Sequence, residues 1–440
     1  KRQGVRCPTM FESITSTTRF LGHVGRDLLG TFRARVRRIY DWLVYGVDEV
    51  VVGVDVFPFA ETMTGVGWYE WNLLAALDRR DDGLRYNLYA HTFLAPGEQP
   101  PPVPGVRKMR LRTHQIPDRN LLPIRPTLWL LRHLVEPVLC LLDGNDVIFA
   151  PNFMPPRRQR FFGRRMVVTV QDLAFAVMPE MVAPETLAHL RSRFPKTLRR
   201  ADRIIAVSQA TARDLVEFCD VDRSRIHTIH EGLDPHFADV SGESVPDALL
   251  PEDYLLFVST IEPRKNVIGV LRAFALLAEW GYPGKLVIVG RWGWRTDRIR
   301  AELEASPVRD RVVHLDYVDR ARMTSVYSQA RALLFPSWLE GFGLPILESM
   351  ACGTPVVTSG RSAMPEVAGP AGVYIDPESA HGIATGAASL LEDAEHHTRL
   401  RVLGRERARR FSWDRAGEAT AGVFRRAAGR RVNGPDEYRV

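Results

Sequence analysis

No uninterrupted apolar run in the sequence is long enough to cross a bilayer, and the amino-terminal stretch lacks the charged-then-apolar order of a secretion signal. An integral membrane protein is therefore not expected. Cysteine is scarce: Cys7, Cys140, Cys219 and Cys352 are widely scattered, with no C-x-x-C pair. That spacing argues against a zinc site and a disulfide framework, and it fits a reducing cytoplasm. Lysine is far outnumbered by arginine within a formal charge of +7. Such a basic excess suits an anionic substrate such as a nucleotide diphosphate, or docking on an acidic membrane surface; a genome-wide arginine bias would produce it equally. At 440 residues the chain is too long for one ordinary core, so two domains with an accessory segment are expected.

What is present centres on residues 332–358, ALLFPSWLEGFGLPILESMACGTPVVT. The spacing predicts strand, tight loop, helix, strand. Residues 332–335 have the length and apolarity of a buried parallel strand, and Gly341 and Gly343 let the backbone turn and approach a ligand. Pro345 suits a first helical turn, where a missing amide has no intrahelical partner to lose. Leu347, Met350 and Ala351 recur on one face, and Gly353 and Pro355 close the helix. The loop offers backbone amides at the positive end of a helix, a ready site for phosphate or sugar hydroxyls. Glu340 precedes that end. Glu348 lies about one turn inside, and because helical side chains lean toward the amino terminus it reaches back to the same crevice. Solvated glutamates near a helix start are common for dipole reasons alone, so the carboxylates by themselves would not settle a function.

The whole string is more specific. Two glutamates eight positions apart around Gly-Phe-Gly-Leu-Pro resemble the E-x7-E signature of the family 4 retaining glycosyltransferases. That resemblance implies an α/β GT-B fold, two Rossmann-like domains with parallel sheets facing a cleft, here with an amino-terminal accessory helix.

The expected domains follow in order. Residues 1–46 form a basic amphipathic segment: Phe20, Leu21, Val24, Leu28, Phe32, Val36, Ile39 and Leu43 recur at helical spacing among Arg19, Arg26, Arg33, Arg35, Arg37 and Arg38. Such a helix commonly packs on the protein, and it equally suits an anionic membrane carrying a lipid-linked acceptor, with contact through residues 15–45. Residues 1–9 are expected to be disordered. The acceptor-side domain spans 47–231, with strands expected over 49–57, 86–92, 106–111, 146–150, 166–171, 204–207 and 226–230 and helices over 126–142 and 184–199. Gly65 and Gly67 open its first helix, a placement that suits close approach to a ligand, although a bare G-x-G is weak evidence. Asn152 follows the strand at 146–150. Gln171 and Asp172 stand at a strand end, where open α/β sheets bind ligands. Asp220 and Asp222 form a lone D-x-D in an apparent turn, read as solvated rather than metal-binding.

A linker covers 232–251, rich in Pro, Gly, Ser and Asp. The nucleotide-sugar-binding domain covers 252–411. Its first strand ends in the loop 259–266, where Arg264 and Lys265 would set a two-pronged fork and a point charge beside a diphosphate. Gly290 and Gly293 turn the chain after the next strand, Val318 follows another, and Glu366 is placed on a later loop. Residues 412–440 hold the terminal helix, which the resemblance implies crosses back to the first domain.

The resemblance implies roles for these positions. Gly65 and Gly67 would face the transferred sugar and acceptor, with Asn152, Gln171 and Asp172 in the same cleft. Gln171 stands where many relatives have histidine; it can hydrogen-bond a hydroxyl but cannot act as acid or base. Glu340, with the amides of Phe342 and Gly343, would hold sugar hydroxyls, Leu344 completing the helix end, and Glu348 would hold the ribose hydroxyls. Lys265 matches the family's phosphate-loop lysine. Thr260 stands where an arginine is common, which leaves Arg264 as its replacement. The nucleobase would lie near Val318 and Gly290. The implied activity is metal-independent hexosyl transfer with retained configuration, from a nucleotide-sugar donor to a glycan or lipid-linked acceptor, without a cofactor or nucleic-acid partner. The loop TIEPRKN resembles that of bacterial mannosyltransferases using GDP-mannose. A GT-B sugar-nucleotide epimerase and a nucleotide-binding scaffold without transferase activity are the alternatives from other classes. A cytoplasmic location, or a peripheral one on the inner membrane face, is expected.

Overall fold

The computed structural model describes residues 49–56, 59, 63, 65–89, 93–94, 102–104, 107–111, 114–115, 142–153, 165–238, 249–430, 432 and 434–440, with positions 25, 29–30, 32–33 and 36. The expectations for residues 1–9, for the helix at 126–142 apart from Leu142, and for the middle of the linker lie outside them.

Runs rich in β-branched residues form the strands. In order these are β1 (Val50–Asp55), β2 (Leu84–Tyr89), β3 (Phe93–Leu94), β4 (Met109–Leu111), β5 (His114–Gln115), β6 (Val147–Ala150), β7 (Arg165–Val170), β8 (Arg203–Ala206) and β9 (Ile226–Thr228). After them come β10 (Tyr254–Val258), β11 (Lys285–Val289), β12 (Val312–Leu315), β13 (Ala332–Phe335), β14 (Val356–Ser359) and β15 (Gly372–Ile375). They assemble as a seven-stranded sheet in the order β4-β2-β1-β6-β7-β8-β9, a six-stranded sheet in the order β12-β11-β10-β13-β14-β15, and the small pair β3-β5.

β1 is central, paired in parallel with β2 through Val52 and Tyr86 and with β6 through Val52 and Val147. A strand covered on both faces has no reason to alternate polarity, and Val50, Val52 and Val54 are buried. In the second sheet β10 occupies the same place, with Leu255 opposite Leu286 of β11 and Ala332 of β13. In both sheets the strand order reverses beside the central strand. Loops at the carboxyl ends of the strands on either side of such a reversal diverge and leave a crevice. For the second sheet those loops follow β10 and β13, which carry Arg264, Lys265 and Glu340.

The chain forms two compact units. One comprises residues 1–169, 197–204 and 417–436; the other comprises 170–196, 205–416 and 437–440. Within the first, the helix Gly65–Arg79 buries Leu73, Leu74 and Leu77, and the Tyr69 hydroxyl lies 3.1 Å from Thr169 Oγ1. The carboxy-terminal part of the helix Trp413–Ala427 belongs to this unit, with Phe424 edge-on to Phe149 at 4.9 Å. Within the second unit the final residues return: the Tyr438 amide donates to Thr228 O at 2.9 Å and the Val440 amide to His230 Nδ1 at 3.0 Å. The described positions near the amino terminus are helical, and Leu29, Phe32 and Val36 are exposed.

Candidate active site

The loop after β10 closes in a 3-10 turn, Pro263–Lys265, and Asn266 then caps the helix Val267–Glu279 by accepting the Gly269 amide. Asn266 Nδ2 also donates to Pro336 O and Pro377 O, at 3.2 and 2.8 Å, so one amide holds three loops in register. Lys265 is thereby turned inward, and its Nζ lies 2.7 Å from both carboxylate oxygens of Glu340. Arg264 spreads over the same cluster. Its guanidinium donates to Leu339 O at 2.8 Å, lies 2.9 Å from Glu262 Oε1 and 3.4 Å from Glu340 Oε2, and has Asp172 Oδ2 at 3.7 Å.

Burial pushes the Glu340 carboxyl up, but Lys265 and Arg264 outweigh it and leave the group below the usual carboxylate range. Burial also pulls the Arg264 guanidinium down, and there Glu340, Asp172 and Glu262 overcompensate. Both groups are charged at neutral pH. Glu262, also buried, is raised above the usual carboxylate range by desolvation despite the two cations.

The loop after β13 leads into the helix Leu344–Ala351, with Pro345 in its first turn. Gly343 precedes the helix at φ +114°, a left-handed conformation that glycine adopts without steric cost, and no side chain caps this end. Pro345 has no amide and those of Ile346 and Leu347 donate to Gly343 O, so the amides up to Leu344, with the positive end of the helix dipole, face the ground beside Lys265 and Arg264. Phe342 is buried against His230 and Phe411, with ring centroids 5.8 and 5.7 Å away, so its side chain anchors the loop and only its backbone is left for a ligand. Glu348 accepts the Tyr327 hydroxyl at 2.7 Å. Burial pushes its carboxyl up to about 7, while that bond and Arg320 pull the other way.

Asp172 joins the cluster through Arg264 and also accepts the Ala174 amide at 3.0 Å. Gln171 contributes its backbone, since its carbonyl accepts the Thr211 hydroxyl at 3.4 Å and lies under Gly341. Val318 is buried after β12, beside exposed Tyr317, over which Arg291 stacks at 5.1 Å. Gly290, just after β11, accepts through its carbonyl at 2.8 Å from the His314 ring. In the first unit, and among the described residues, Gly65 opens its helix with nothing within 4 Å of an added Cβ, and Asn152 follows β6 with Oδ1 enclosed and without a hydrogen-bond partner. Gly67 lies against Met63, whose Sδ would stand 3.0 Å from an added Cβ.

One expectation needs correction. Glu366 sits on the short helix Met364–Ala368 rather than a loop, because Pro365 starts a turn there. Its carboxylate accepts the Gln209 and Ala210 amides, each at 2.7 Å, and lies 3.2 Å from His230 Nε2, so it caps the helix Gln209–Cys219 from outside. Asp222 accepts the Ser224 amide at 2.9 Å and Asp220 ends the preceding helix at φ +51°, as the solvated-turn reading of the D-x-D expects. Sequence reasoning passed over Glu231, Asp234, Arg320 and Tyr327, which surround Glu348. The string His-Glu-Gly-Leu-Asp, one residue beyond β9, was the available signal, since strand ends are where such sheets hold ligands.

Comparison with known proteins agrees with this geometry. Residues 63–237 match the family model described as Glycosyltransferase Family 4, and residues 246–407 match Glycosyl transferases group 1. O-antigen chain mannosyltransferase B of Escherichia coli is 28% identical over 381 residues, covering 84% of this chain and 97% of that protein. D-inositol 3-phosphate glycosyltransferase 2 of Catenulispora acidiphila is 33% identical over 56% of this chain and 60% of its own length. Among solved structures, WaaG, a glycosyltransferase involved in lipopolysaccharide biosynthesis, aligns with TM-score 0.61 at 17% identity over 85% of this chain and 99% of its own. Sucrose-phosphate synthase from Thermosynechococcus elongatus aligns with the same TM-score, 0.61, at 21% identity over 86% of this chain and 99% of its own. With consecutive family models over residues 63–237 and 246–407, the chain belongs to the family 4 glycosyltransferases and has their GT-B fold.

Proposed function

We propose that this glycosyltransferase moves mannose from GDP-mannose to a glycan or lipid-linked acceptor, with retention of configuration and without a metal ion. The observation that carries the reading is the convergence of Lys265, Arg264, Glu340 and an uncapped helix end at one switch point. Breaking a sugar–phosphate bond develops negative charge on the departing diphosphate. Preorganised positive groups that meet that charge lower the barrier without reorganising. Lys265 and Arg264 supply two cations and the helix Leu344–Ala351 its positive end with the Leu344 amide, a set able to do the work that a divalent ion does elsewhere. Glu340, kept ionised by its neighbours, accepts hydrogen bonds from sugar hydroxyls, and Glu348 accepts them from the ribose. The leaving diphosphate takes the acceptor's proton on the face from which it departs, which retains configuration. Mannose is favoured by the name of the Escherichia coli relative and by the TIEPRKN loop.

The experiment is nucleotide release from GDP-, UDP-, dTDP- and ADP-sugars, with and without EDTA, in the native protein and in Glu340→Gln and Glu348→Ala. Release from GDP-mannose alone, unchanged by EDTA, is expected. Glu340→Gln should slow it, and Glu348→Ala should raise donor KM about tenfold or more, the scale of one lost charge-assisted hydrogen bond. Preference for another donor would overturn the GDP-mannose assignment, and loss of release in EDTA the metal independence.

The acceptor proposal carries a second test. Leu29, Phe32 and Val36 are exposed at positions sharing one helical face, and six arginines lie within residues 15–45. The protein should float with vesicles containing phosphatidylglycerol and not with neutral phosphatidylcholine, and Phe32→Glu should abolish flotation. Equal recovery with both vesicle types would remove the membrane role.

A further inference from the structure

Glu231 is a buried carboxyl for which the fold supplies nothing. It follows β9 and is 4% exposed, its Oε2 is enclosed, and among the described residues neither carboxyl oxygen has a hydrogen bond or ion pair. Leaving such a group unmatched costs about 1–3 kcal/mol even when it is neutral and more when it is charged. A position so unfavourable in the empty protein calls for an offset on binding.

The surroundings say where that offset lies. Asp234, three residues on, pairs with Arg320, and Phe237 stacks edge-on to Tyr327 at 5.8 Å. Tyr327 in turn donates to Glu348. The segment from Glu231 to Phe237 and the helices Arg320–Ser328 and Leu344–Ala351 thus close around two acids, Glu231 and Glu348. The backbone is fixed there as well: a Cβ at Gly232 would lie 2.2 Å from the Trp413 amide nitrogen, so Glu231 has little freedom to withdraw. Its neighbour His230 is engaged elsewhere, with Val440 and Glu366.

We propose that Glu231 is a second donor-binding residue, a neutral carboxyl that donates a hydrogen bond to a ribose hydroxyl of the nucleotide sugar while Glu348 accepts from the same ribose. This rests on the reading of Glu348 as the ribose ligand and adds to it a group that the E-x7-E string does not contain. Desolvation, with the negative charge of Glu348 second, pushes the Glu231 carboxyl up to about 8, so the proton is present at neutral pH. Among the other groups facing this pair, Arg320 lowers the Glu348 carboxyl but does not act on Glu231. Arg320 pairs with Asp234, Tyr327 is raised well above its ordinary range and stays a hydroxyl, Cys352 is pushed up to about 12 by burial and Glu348, and His236 is bonded to Thr324. Ionisation of Glu231 would set a second negative charge against Glu348 and the incoming diphosphate. Donor affinity therefore falls once pH exceeds about 8, and the limb below pH 7 belongs to Glu348.

The test is calorimetric binding of GDP, with UDP in parallel, between roughly pH 6 and 9.5 in the full chain, beside 2′- and 3′-deoxy GDP. The native protein should lose roughly tenfold in affinity per pH unit above the Glu231 titration, one proton being linked to one nucleotide. Glu231→Gln stays neutral, so it should keep affinity within about tenfold at pH 7 and lose the alkaline fall, while the acid limb persists. Glu231→Ala should bind GDP roughly 10- to 100-fold more weakly, and its deficit should shrink toward zero for the deoxy nucleotide lacking the contacted hydroxyl. An alkaline limb unchanged in Glu231→Gln, or an undiminished deficit with both deoxy nucleotides, overturns the role of Glu231 and leaves the donor assignment standing. Failure of the native protein to bind either nucleotide overturns both.

Discussion

Replacing Lys265 with alanine is expected to lower kcat by roughly 10²–10³-fold, the scale seen when one preorganised donor to a developing charge is removed. The geometry fixes why this residue carries more than an ordinary surface lysine. Its ammonium sits 2.7 Å from both Glu340 oxygens, 8% of the residue is exposed, and Asn266 locks the turn that presents it. A buried charge held this way needs no reorganisation when the diphosphate leaves. Removing it also strands Glu340, with Arg264 3.4 Å away as the remaining cation on that carboxylate. Breaking a buried pair from one side costs about 3–5 kcal/mol, so thermal unfolding should shift down as well. The two effects separate in the double variant Lys265→Ala with Glu340→Gln. It should regain part of the stability, because no unmatched carboxylate is left, and none of the turnover. Saturating-donor kinetics with a parallel melting curve reads both, and full kcat in a folded Lys265→Ala would end the phosphate role.

The same residues show how far the sequence reaches. Local periodicity sufficed for the elements around the site: β13 stands at 332–335, where the apolar run places it, and Pro345 falls in the first turn of the helix Leu344–Ala351. These features depend on neighbours a few positions apart. What periodicity cannot carry is pairing across the chain. The contact of Lys265 with Glu340 joins loops 75 positions apart, and that of Glu366 with the Gln209 amide spans 157. The first is set by strand order in the six-stranded sheet, and the second joins elements that follow strands of different sheets, β14 and β8. Their place after a strand marks the two cations as candidates for binding phosphate, but nothing local marks them as the partners that hold Glu340 ionised. Glu231 was missed for a related reason. An acid at the start of a Pro-, Gly- and Asp-rich stretch reads as solvated, and only the packing of three separate elements makes it buried.

Gly341→Ala should be the most damaging single-methyl change in the site. A Cβ at this position would lie 1.7 Å from the Gln171 carbonyl oxygen and 2.7 Å from its carbon, closer than real Cβ contacts allow. The obstacle is backbone at the end of β7, so no side-chain rotation relieves it. Either the loop 336–343 or the strand end must withdraw by more than an ångström. Withdrawal of the loop carries Glu340 away from Lys265 and tilts the helix end proposed to meet the diphosphate; a shift of about 1 Å in a positioning element costs on the order of 10²-fold in rate. Turnover is therefore expected to fall by at least that factor, with donor KM rising too because the Leu344 amide moves. Gly360→Ala is the control on a neighbouring loop: nothing lies within 4 Å of its added Cβ, and its φ is not positive. A substitution into open space changes stability by no more than about 0.5 kcal/mol, and kcat should be untouched. Comparable kinetics in the two alanine variants would show that the strand-end contact of Gly341 does not position the catalytic loop.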